Sequence, residues 1–410
     1  MAKKAVKTAT SSKRAGDANG AEASVNAASP VRRRQSPPPE ERYQTELAFL
    51  RAWDGADRPE GWHLSPHAVV LFICGSRGEK LKLPAGSDGD LPSQLVIPEK
   101  FVGDRAIVER CVVTLAGERG LLLVGEPGTA KSMLSELLSA AISGTSALTI
   151  QGTAGSTEDH FRYSWNYAKL LANGPGEDAL VPSPIMLGMR SGRLVRVEEV
   201  TRCLPEVQDA LISLLSERRL MVPELHGDSG SVFAAPGFNL IATANLRDKG
   251  VSEMSAALKR RFNFEVISPI AEHAREVDLV RRQSTALLAE SKITQPVDDG
   301  LLEAMVTAFR DLREGRTVEG WTVEKPGTVM STAEAVAIAA SIGRQTCFFP
   351  SQKDPLSLLP GHLLGVVLKD DAQDRARLLA YWDSAVARRA KTGSSLWKRL
   401  SELRKELEEQ

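Results

Sequence analysis

The chain predicts an α/β domain with a mostly parallel sheet flanked by helices, followed by an α-helical domain. Three observations predict it. Between residues 97 and 269, short apolar runs alternate with stretches of helical spacing, as when strands return to one sheet through crossover helices. A glycine-containing loop, GEPGTAKS at 125–132, separates one such run from the next helical stretch. After Pro269 the strand-like runs stop and helical patterns continue to the end.

The elements follow in order. Residues 1–42 are rich in Ala, Ser, Lys, Arg and Pro and cannot form a core, so a disordered basic arm is expected. Residues 1–38 carry eight Lys or Arg against Asp17 and Glu22, a net of +6, so the neutral chain leaves −6 on the remainder. Pro37-Pro38-Pro39 reads as a stiff spacer before folded structure begins. Residues 43–96 read as a small helical lead-in, with Leu47, Leu50 and Trp53 at helical spacing and an apolar block at 68–74.

Within 97–269, GLLLVG at 120–125 predicts a buried strand. The next stretch places Met133, Leu134, Leu137, Leu138 and Ala141 on one helical face, closed by Gly144. GRLVRVEEV at 192–200 is a further strand, LPEVQDALISLLSERRL at 204–220 a helix, and FNLIATAN at 238–245 another strand. His226 to Gly230 predict a hairpin tip. Residues 270–390 predict a helical lid domain. The segment 391–410 predicts a terminal amphipathic helix, its stripe formed by Leu396, Leu400, Leu403 and Leu407.

Composition excludes several function classes. With 42% hydrophobic and 25% charged residues and zero net charge, no global field argues for nucleic acid or a membrane surface. No apolar run approaches the roughly 20 residues of a membrane span. Four scattered cysteines suggest neither a zinc site nor a disulfide framework. A cytoplasmic protein with reduced thiols is the expectation.

The chemistry concentrates in two places. GEPGTAKS follows the spacing of a phosphate-cradling loop, G-x-x-x-x-G-K-[ST], with Ala130 where the second fixed glycine stands. The amides of Gly125, Glu126, Pro127, Gly128, Thr129 and Ala130 would surround phosphates as far as proline's missing N–H allows, at the N-terminus of the following helix. Lys131 would reach the outer phosphates, and the Ser132 hydroxyl would hold Mg²⁺. The methyl group of Ala130 is tolerable if its φ is negative. Further on, Glu198 and Glu199 end a strand whose other members, Arg196 excepted, are apolar. Adjacent strand residues face opposite ways, so one carboxylate can approach Mg²⁺ while the other polarises a water.

Taken together, GEPGTAKS, RVEEV, ATAN and ALKRRF, in that order, resemble the AAA+ ATPases and the MoxR family in particular, over roughly 97–345. The resemblance implies ATP and Mg²⁺ as ligands, with Lys131 and Ser132 as the Walker A pair and Glu198 and Glu199 as the Walker B pair. It implies that Asn245 holds the attacking water. It also implies that Arg261 is an arginine finger acting on a neighbouring subunit, with Arg260 an alternative donor. Phe101, Val102, Gly103 and Asp104 resemble the turn that packs on adenine. The segment 152–171 falls where such proteins carry a helical insertion, and 221–237 where they carry a β-hairpin. Three departures stand out: Ala130, Glu198 in place of aspartate, and the lack of a sensor 2 arginine in 330–339, for which Arg344 is one substitute.

The resemblance implies a hexameric ring that remodels a protein client, with a von Willebrand factor A domain protein as a candidate partner. A nucleic-acid motor and a nucleotide-gated module with little turnover remain as alternatives, the first supported only by the basic arm.

Overall fold

Among the described residues the first helix begins at Pro39, inside the expected spacer. In the computed structural model, helix α1 (Pro39–Arg42) has proline at its first position, where a missing N–H costs nothing. Glu40 accepts from the amide and hydroxyl of Ser146 (3.0 and 2.9 Å). The structure describes residues 34–84, 86, 90–245, 251–350, 354–369, 371 and 373–408; the basic arm up to Arg33 lies outside these residues.

Helices α2 (Gln44–Trp53) and α3 (Pro66–Cys74) follow, as the spacing predicts. The lead-in is not wholly helical, however. Strands β1 (Lys80–Lys82) and β2 (Gln94–Val96) pair antiparallel. Three-residue strands are too short to leave a periodic signal, which is why the sequence hides them. Nor does the lead-in form a core of its own. Phe49, Leu50, Phe72 and Ile73 share one hydrophobic cluster with Leu121, Leu123, Leu134 and Leu138 of the central sheet and its helix.

The sheet is built next. Helix α4 (Arg105–Leu115) leads into β3 (Gly120–Val124), then α5 (Lys131–Ser143) and β4 (Thr149–Gln151). The segment expected as a helical insertion is mixed. It holds β5 (Tyr163–Trp165), the short α6 (Tyr167–Asn173) and β6 (Leu180–Pro182), with β5 and β6 antiparallel. Alternating Tyr163 and Trp165 favour a strand there. Helix α7 (Pro184–Ser191), β7 (Leu194–Glu198) and α8 (Pro205–Glu217) come next. The expected hairpin is β8 (Arg219–Met221) with β9 (Ser231–Phe233), its connection carrying a tight turn at Gly227–Gly230. Strand β10 (Asn239–Ala244), the short α9 (Ala256–Lys259) and β11 (Phe262–Val266) complete the domain.

Five strands form one parallel sheet in the order β11-β3-β10-β7-β4. The pleat sorts their side chains to two faces. Leu121, Leu123, Leu194 and Ile241 enter the cluster under α3, α4 and α5, while Leu122, Val195, Val197 and Leu240 enter a second cluster with residues of α7 and α8. By the same alternation Arg196 and Glu198 lie on the α5 face.

The lid is mainly helical, with one antiparallel bridge between Arg316 and Thr322: α10 (His273–Glu290), α11 (Asp299–Glu314), α12 (Thr332–Phe348), α13 (Leu359–Val367), α14 (Asp374–Tyr381), α15 (Ala387–Lys391), α16 (Ser395–Glu402) and α17 (Arg404–Glu408). Among the described residues no helix is long and apolar enough to cross a membrane. The terminal amphipathic segment is two short helices, and both belong to the lid core. Leu400 and Leu407 are fully buried beside Tyr381, Trp382 and Phe309, and the Trp382 indole donates to the Leu400 carbonyl at 2.9 Å.

One backbone feature corrects the sequence reading. Ala130 lies between β3 and α5 with φ 65° and ψ 24°, not at negative φ, and Gly128 two residues earlier has φ 75°. The turn needs two left-handed residues. At Gly128 only glycine fits, because an added Cβ would fall 2.2 Å from the Ser331 Cβ. At Ala130 the methyl group is accommodated at a strain of about 1–2 kcal/mol.

Two outcomes follow. Ala130→Gly should raise stability to chemical unfolding by about 1 kcal/mol, since it relieves a left-handed alanine. Leu400→Asp places an unpaired carboxylate in the lid core and should lower stability by about 3–5 kcal/mol. The loss should be equal at every protein concentration, measured by thermal melts over a dilution series.

Candidate functional site

Strands β3, β7 and β10 all deliver their carboxyl ends to one edge of the sheet, where open α/β sheets bind ligands. Register fixes the neighbours: Ala244 pairs with Val124 and Ala242 with Val197. The loop after β3, Glu198 at the end of β7 and Asn245 after β10 therefore converge. Over this edge lies the lid, and the cleft between them encloses about 460 Å³.

The phosphate-loop residues Glu126, Pro127, Gly128, Thr129, Ala130, Lys131 and Ser132 line this cleft, as do Val102, Glu199 and Asn245. Gly125 sits one step behind, where a Cβ would strike the Ile267 carbonyl at 2.4 Å. Gly103 does not line the cleft either; the Phe101 ring packs where its side chain would be. Lys131 is buried and folds its amine back to donate to the carbonyls of Glu126 (2.8 Å) and Gly125 (3.1 Å).

The two glutamates separate, though by a different device from the one expected. Glu198 is the last residue of β7, and Glu199 leaves the strand through a left-handed turn (φ 55°, ψ 44°) instead of by the pleat. Glu198 accepts from the hydroxyls of Ser132 and Thr243 on Oε2 and of Ser135 on Oε1, all at 2.7 Å. Arg196 adds an ion pair to Oε1 at 2.9 Å. The Ser132 hydroxyl and the Glu198 carboxylate are hard oxygen donors of the kind Mg²⁺ takes together with phosphate oxygens and water. Among the described residues no cluster of three His, Cys, Asp or Glu offers a protein-only metal site, so a cation here fits as a shared ligand of protein and phosphate.

Glu199 faces Asn245. The Asn245 amide donates to both carboxylate oxygens, at 2.9 and 3.1 Å, and Arg202 approaches Oε2 at 3.4 Å. The Glu199 amide donates to the Thr243 hydroxyl at 3.0 Å, which pins the turn.

Arg261 is elsewhere. It precedes β11, whose Phe262 pairs with Gly120 at the start of β3, the end opposite the phosphate loop. Five strand residues separate the two ends, about 16 Å at strand rise. Its guanidinium donates to the Ser216 hydroxyl and to the Ala257 carbonyl. Arg260 beside it is exposed.

The lid supplies residues that no motif announces. Arg313 of α11 lines the cleft, and Arg344 does not; Arg344 donates to Ser291 and to the Leu287 carbonyl instead. Arg313 is held by Glu276, a fully buried carboxylate that also receives Arg310 and the Thr332 hydroxyl. Lys100 lines the cleft from the core side. Its amine donates to Glu46 and to the Phe72 carbonyl and lies 4.8 and 4.4 Å from the Tyr43 and Phe72 ring centres. Burial pulls this lysine below its ordinary pKa, with Glu46 working against that shift. Thr243, Ser135 and Arg313 were also invisible as site residues, because single polar positions inside strands and helices carry no spacing signal. The cysteines are free thiols, and burial pushes Cys74 up to about 11 and Cys111 up to about 12.

Residues 120–262 match the AAA domain of the dynein-related subfamily, and residues 274–408 match the YehL-like AAA+ ATPase C-terminal domain. YehL of Escherichia coli (strain K12) is 46% identical over 353 residues, covering 86% of this chain and 93% of that protein. A Staphylococcus haemolyticus protein is 27% identical over 55% of this chain and 76% of its own length. Among solved structures, the Holliday junction branch migration motor RuvB of Thermotoga maritima aligns with a TM-score of 0.42 at 12% identity, over 70% of this chain and 78% of that one. NtrX of Brucella abortus in complex with ATP also aligns at 0.42 and 12%, over 76% and 69%. The YehL relationship covers nearly all of both chains and agrees with the strand-end convergence, and on that ground the chain belongs to the YehL-like AAA+ ATPases.

Proposed function

We propose that the protein is a MoxR-type AAA+ machine that hydrolyses ATP in a ring, in the cytoplasm, and uses the cycle to remodel a protein client. The observation that carries the hydrolytic part is the convergence of Lys131, Ser132, Glu199 and Asn245 on one cleft closed by the lid. In this reading the loop amides and Lys131 hold the phosphates, the lysine exchanging the Gly125 and Glu126 carbonyls for phosphate oxygens. Phe101 and Val102 shape the base side, with Gly103 packed beneath the Phe101 ring. Ser132 and Glu198 would hold Mg²⁺, which when bound would neutralise charge on the phosphates. Glu199 accepts the proton of the attacking water as its oxygen bonds to the γ-phosphorus, and the bond to the bridging oxygen breaks. Asn245, already on both Glu199 oxygens, orients that carboxylate and the water between them.

The position of Arg261 supports the ring. Some 16 Å from its own phosphate loop, it reaches a γ-phosphate only on a neighbouring subunit. Client contact falls on exposed apolar side chains that the core does not use, namely Tyr167 and Leu171 one turn apart on α6 and Phe233 on β9. A separate von Willebrand factor A domain protein is the partner this reading expects.

Lys131→Ala should abolish the ATP-dependent rise in melting temperature, and Glu199→Gln should keep that rise while lowering turnover by about 10²-fold or more. A full thermal response in Lys131→Ala would overturn the loop assignment. Arg261→Ala should bind ATP normally and hydrolyse it slowly. Mixed with Lys131→Ala protein, it should recover part of the activity, because each variant supplies what the other lacks. Absence of recovery in rings shown to exchange subunits would rule out action in trans.

A further inference from the structure

A buried arginine in the middle of a central parallel strand needs an explanation, because its neighbours Leu194, Val195 and Val197 are all apolar core residues. Arg196 is 6% exposed. One edge of its guanidinium anchors the loop before β4, donating from Nε and NH2 to the Ser146 carbonyl at 3.3 and 3.2 Å. The other edge donates from NH1 to Glu198 Oε1 at 2.9 Å and to the Ser135 hydroxyl at 3.3 Å. The pair divides the carboxylate into two sides. Oε1 is turned inward to Arg196 and Ser135, while Oε2 is turned to Thr243 and to Ser132, the one of these residues that lines the cleft. A full positive charge thus sits on the carboxylate that would meet the cation. A second carboxylate, Glu136 of α5, lies 3.5 Å from the same NH1 and is partly exposed.

We propose that Arg196 makes divalent-cation binding conditional on nucleotide. It cancels the charge of Glu198, so the pair presents a neutral oxygen site too weak to hold a bare cation against hydration. The phosphates restore the missing negative charge, and the cation is retained only with them. Arg196 also fixes which carboxylate oxygen is turned to the Ser132 hydroxyl. It is a positioning residue, touching neither phosphate nor water. Glu136 tempers the effect by sharing the guanidinium charge. The inference rests on the assignment of Glu198 to the cation in the preceding reading.

The test uses the full chain and Mn²⁺ alone, followed by paramagnetic resonance, together with Mg²⁺ titrations of ATP binding. Arg196→Gln should bind Mn²⁺ without nucleotide about tenfold more tightly than the natural protein, since three hydroxyls still hold Glu198 once the charge is gone. Arg196→Lys, which keeps the charge, should stay close to the natural protein. Glu136→Gln should move the other way, raising the Mg²⁺ needed for half-maximal ATP binding by about twofold. A folded Arg196→Gln protein with unchanged Mn²⁺ affinity overturns the proposal. If that variant does not fold, an unmoved Mg²⁺ requirement in Glu136→Gln overturns it instead. Glu198→Gln separates this from the parent reading: if it leaves Mg²⁺ dependence intact, the metal assignment itself fails. If Glu198→Gln weakens Mg²⁺ while the Arg196 and Glu136 variants change nothing, only the role of Arg196 falls.

Discussion

The carboxylate of Glu198 is buried at the end of a central strand, and burial of a charge is tolerated only when its hydrogen-bonding capacity is filled. Four groups fill it, and they come from three elements: Ser132 and Ser135 from the first turns of α5, Thr243 from β10, and Arg196 from β7 itself. Each donor must lie within hydrogen-bond reach of a two-oxygen target. That requirement fixes where α5 starts relative to β7, and with it the phosphate loop that precedes α5. It also fixes the register of β10, and so brings Asn245, two residues past Thr243, to Glu199, the residue after Glu198. Hydrophobic packing alone would allow the helix to slide along the sheet; this polar cluster does not.

A second buried carboxylate organises the lid in the same way. Glu276 on α10 gathers Arg310 and Arg313 from α11 and Thr332 from the start of α12. Arg310 continues to the carbonyls of Ile270 and Ala271, the segment by which the chain leaves the core. This charged cluster next to the cleft therefore helps join the lid to the core. Ser331, the cap of α12, packs directly against Gly128 of the phosphate loop, with no room for a side chain between them. Contact thus links that loop to the start of α12, and a hydrogen bond links Thr332 of α12 to Glu276.

What the sequence revealed follows from where each signal resides. The strand–loop–helix at 120–144 and the paired glutamates were legible because the spacing of glycine, lysine and serine is local. The lid was legible as helical because its faces repeat at helical period, and the stripe Leu396 to Leu407 correctly implied burial, resolved by Leu400 and Leu407 entering the lid core. Three kinds of feature were not legible. Short strands such as Lys80–Lys82 have no period to detect. The sign of φ at Ala130 is set by the turn and not by alanine's own preference, which points the other way. Contacts from distant helices, such as Arg313 in the cleft, depend on tertiary placement, and α11 reads as any amphipathic helix with arginines on its wet face. Arg196 lay between these extremes. It stood out as the polar residue in an apolar strand, but its partner two positions on became visible only through the pleat that puts both on one face.

The strained backbone is distributed in a way that supports the same site. Among the described residues five non-glycine positions have positive φ, and two of them, Ala130 and Glu199, line the one cleft. Each stands where a chain turns out of the sheet's carboxyl edge, Ala130 before α5 and Glu199 after β7. A left-handed conformation at such positions is worth about 1–3 kcal/mol of strain and survives only where its surroundings leave no alternative. Both conditions are visible. The Glu199 amide is committed to Thr243 and its carboxylate to Asn245, so relaxing the turn would break bonds on both sides. Ala130 stands two residues after a glycine pressed by Ser331 and just before a lysine anchored on the loop's own carbonyls, so its φ is held from both directions. Strain held at two points, on opposite sides of where phosphate and water would meet, gives a rigid frame. The chemistry then asks for movement mainly of side chains: the Lys131 amine, the Glu199 carboxylate and the lid arginine above them.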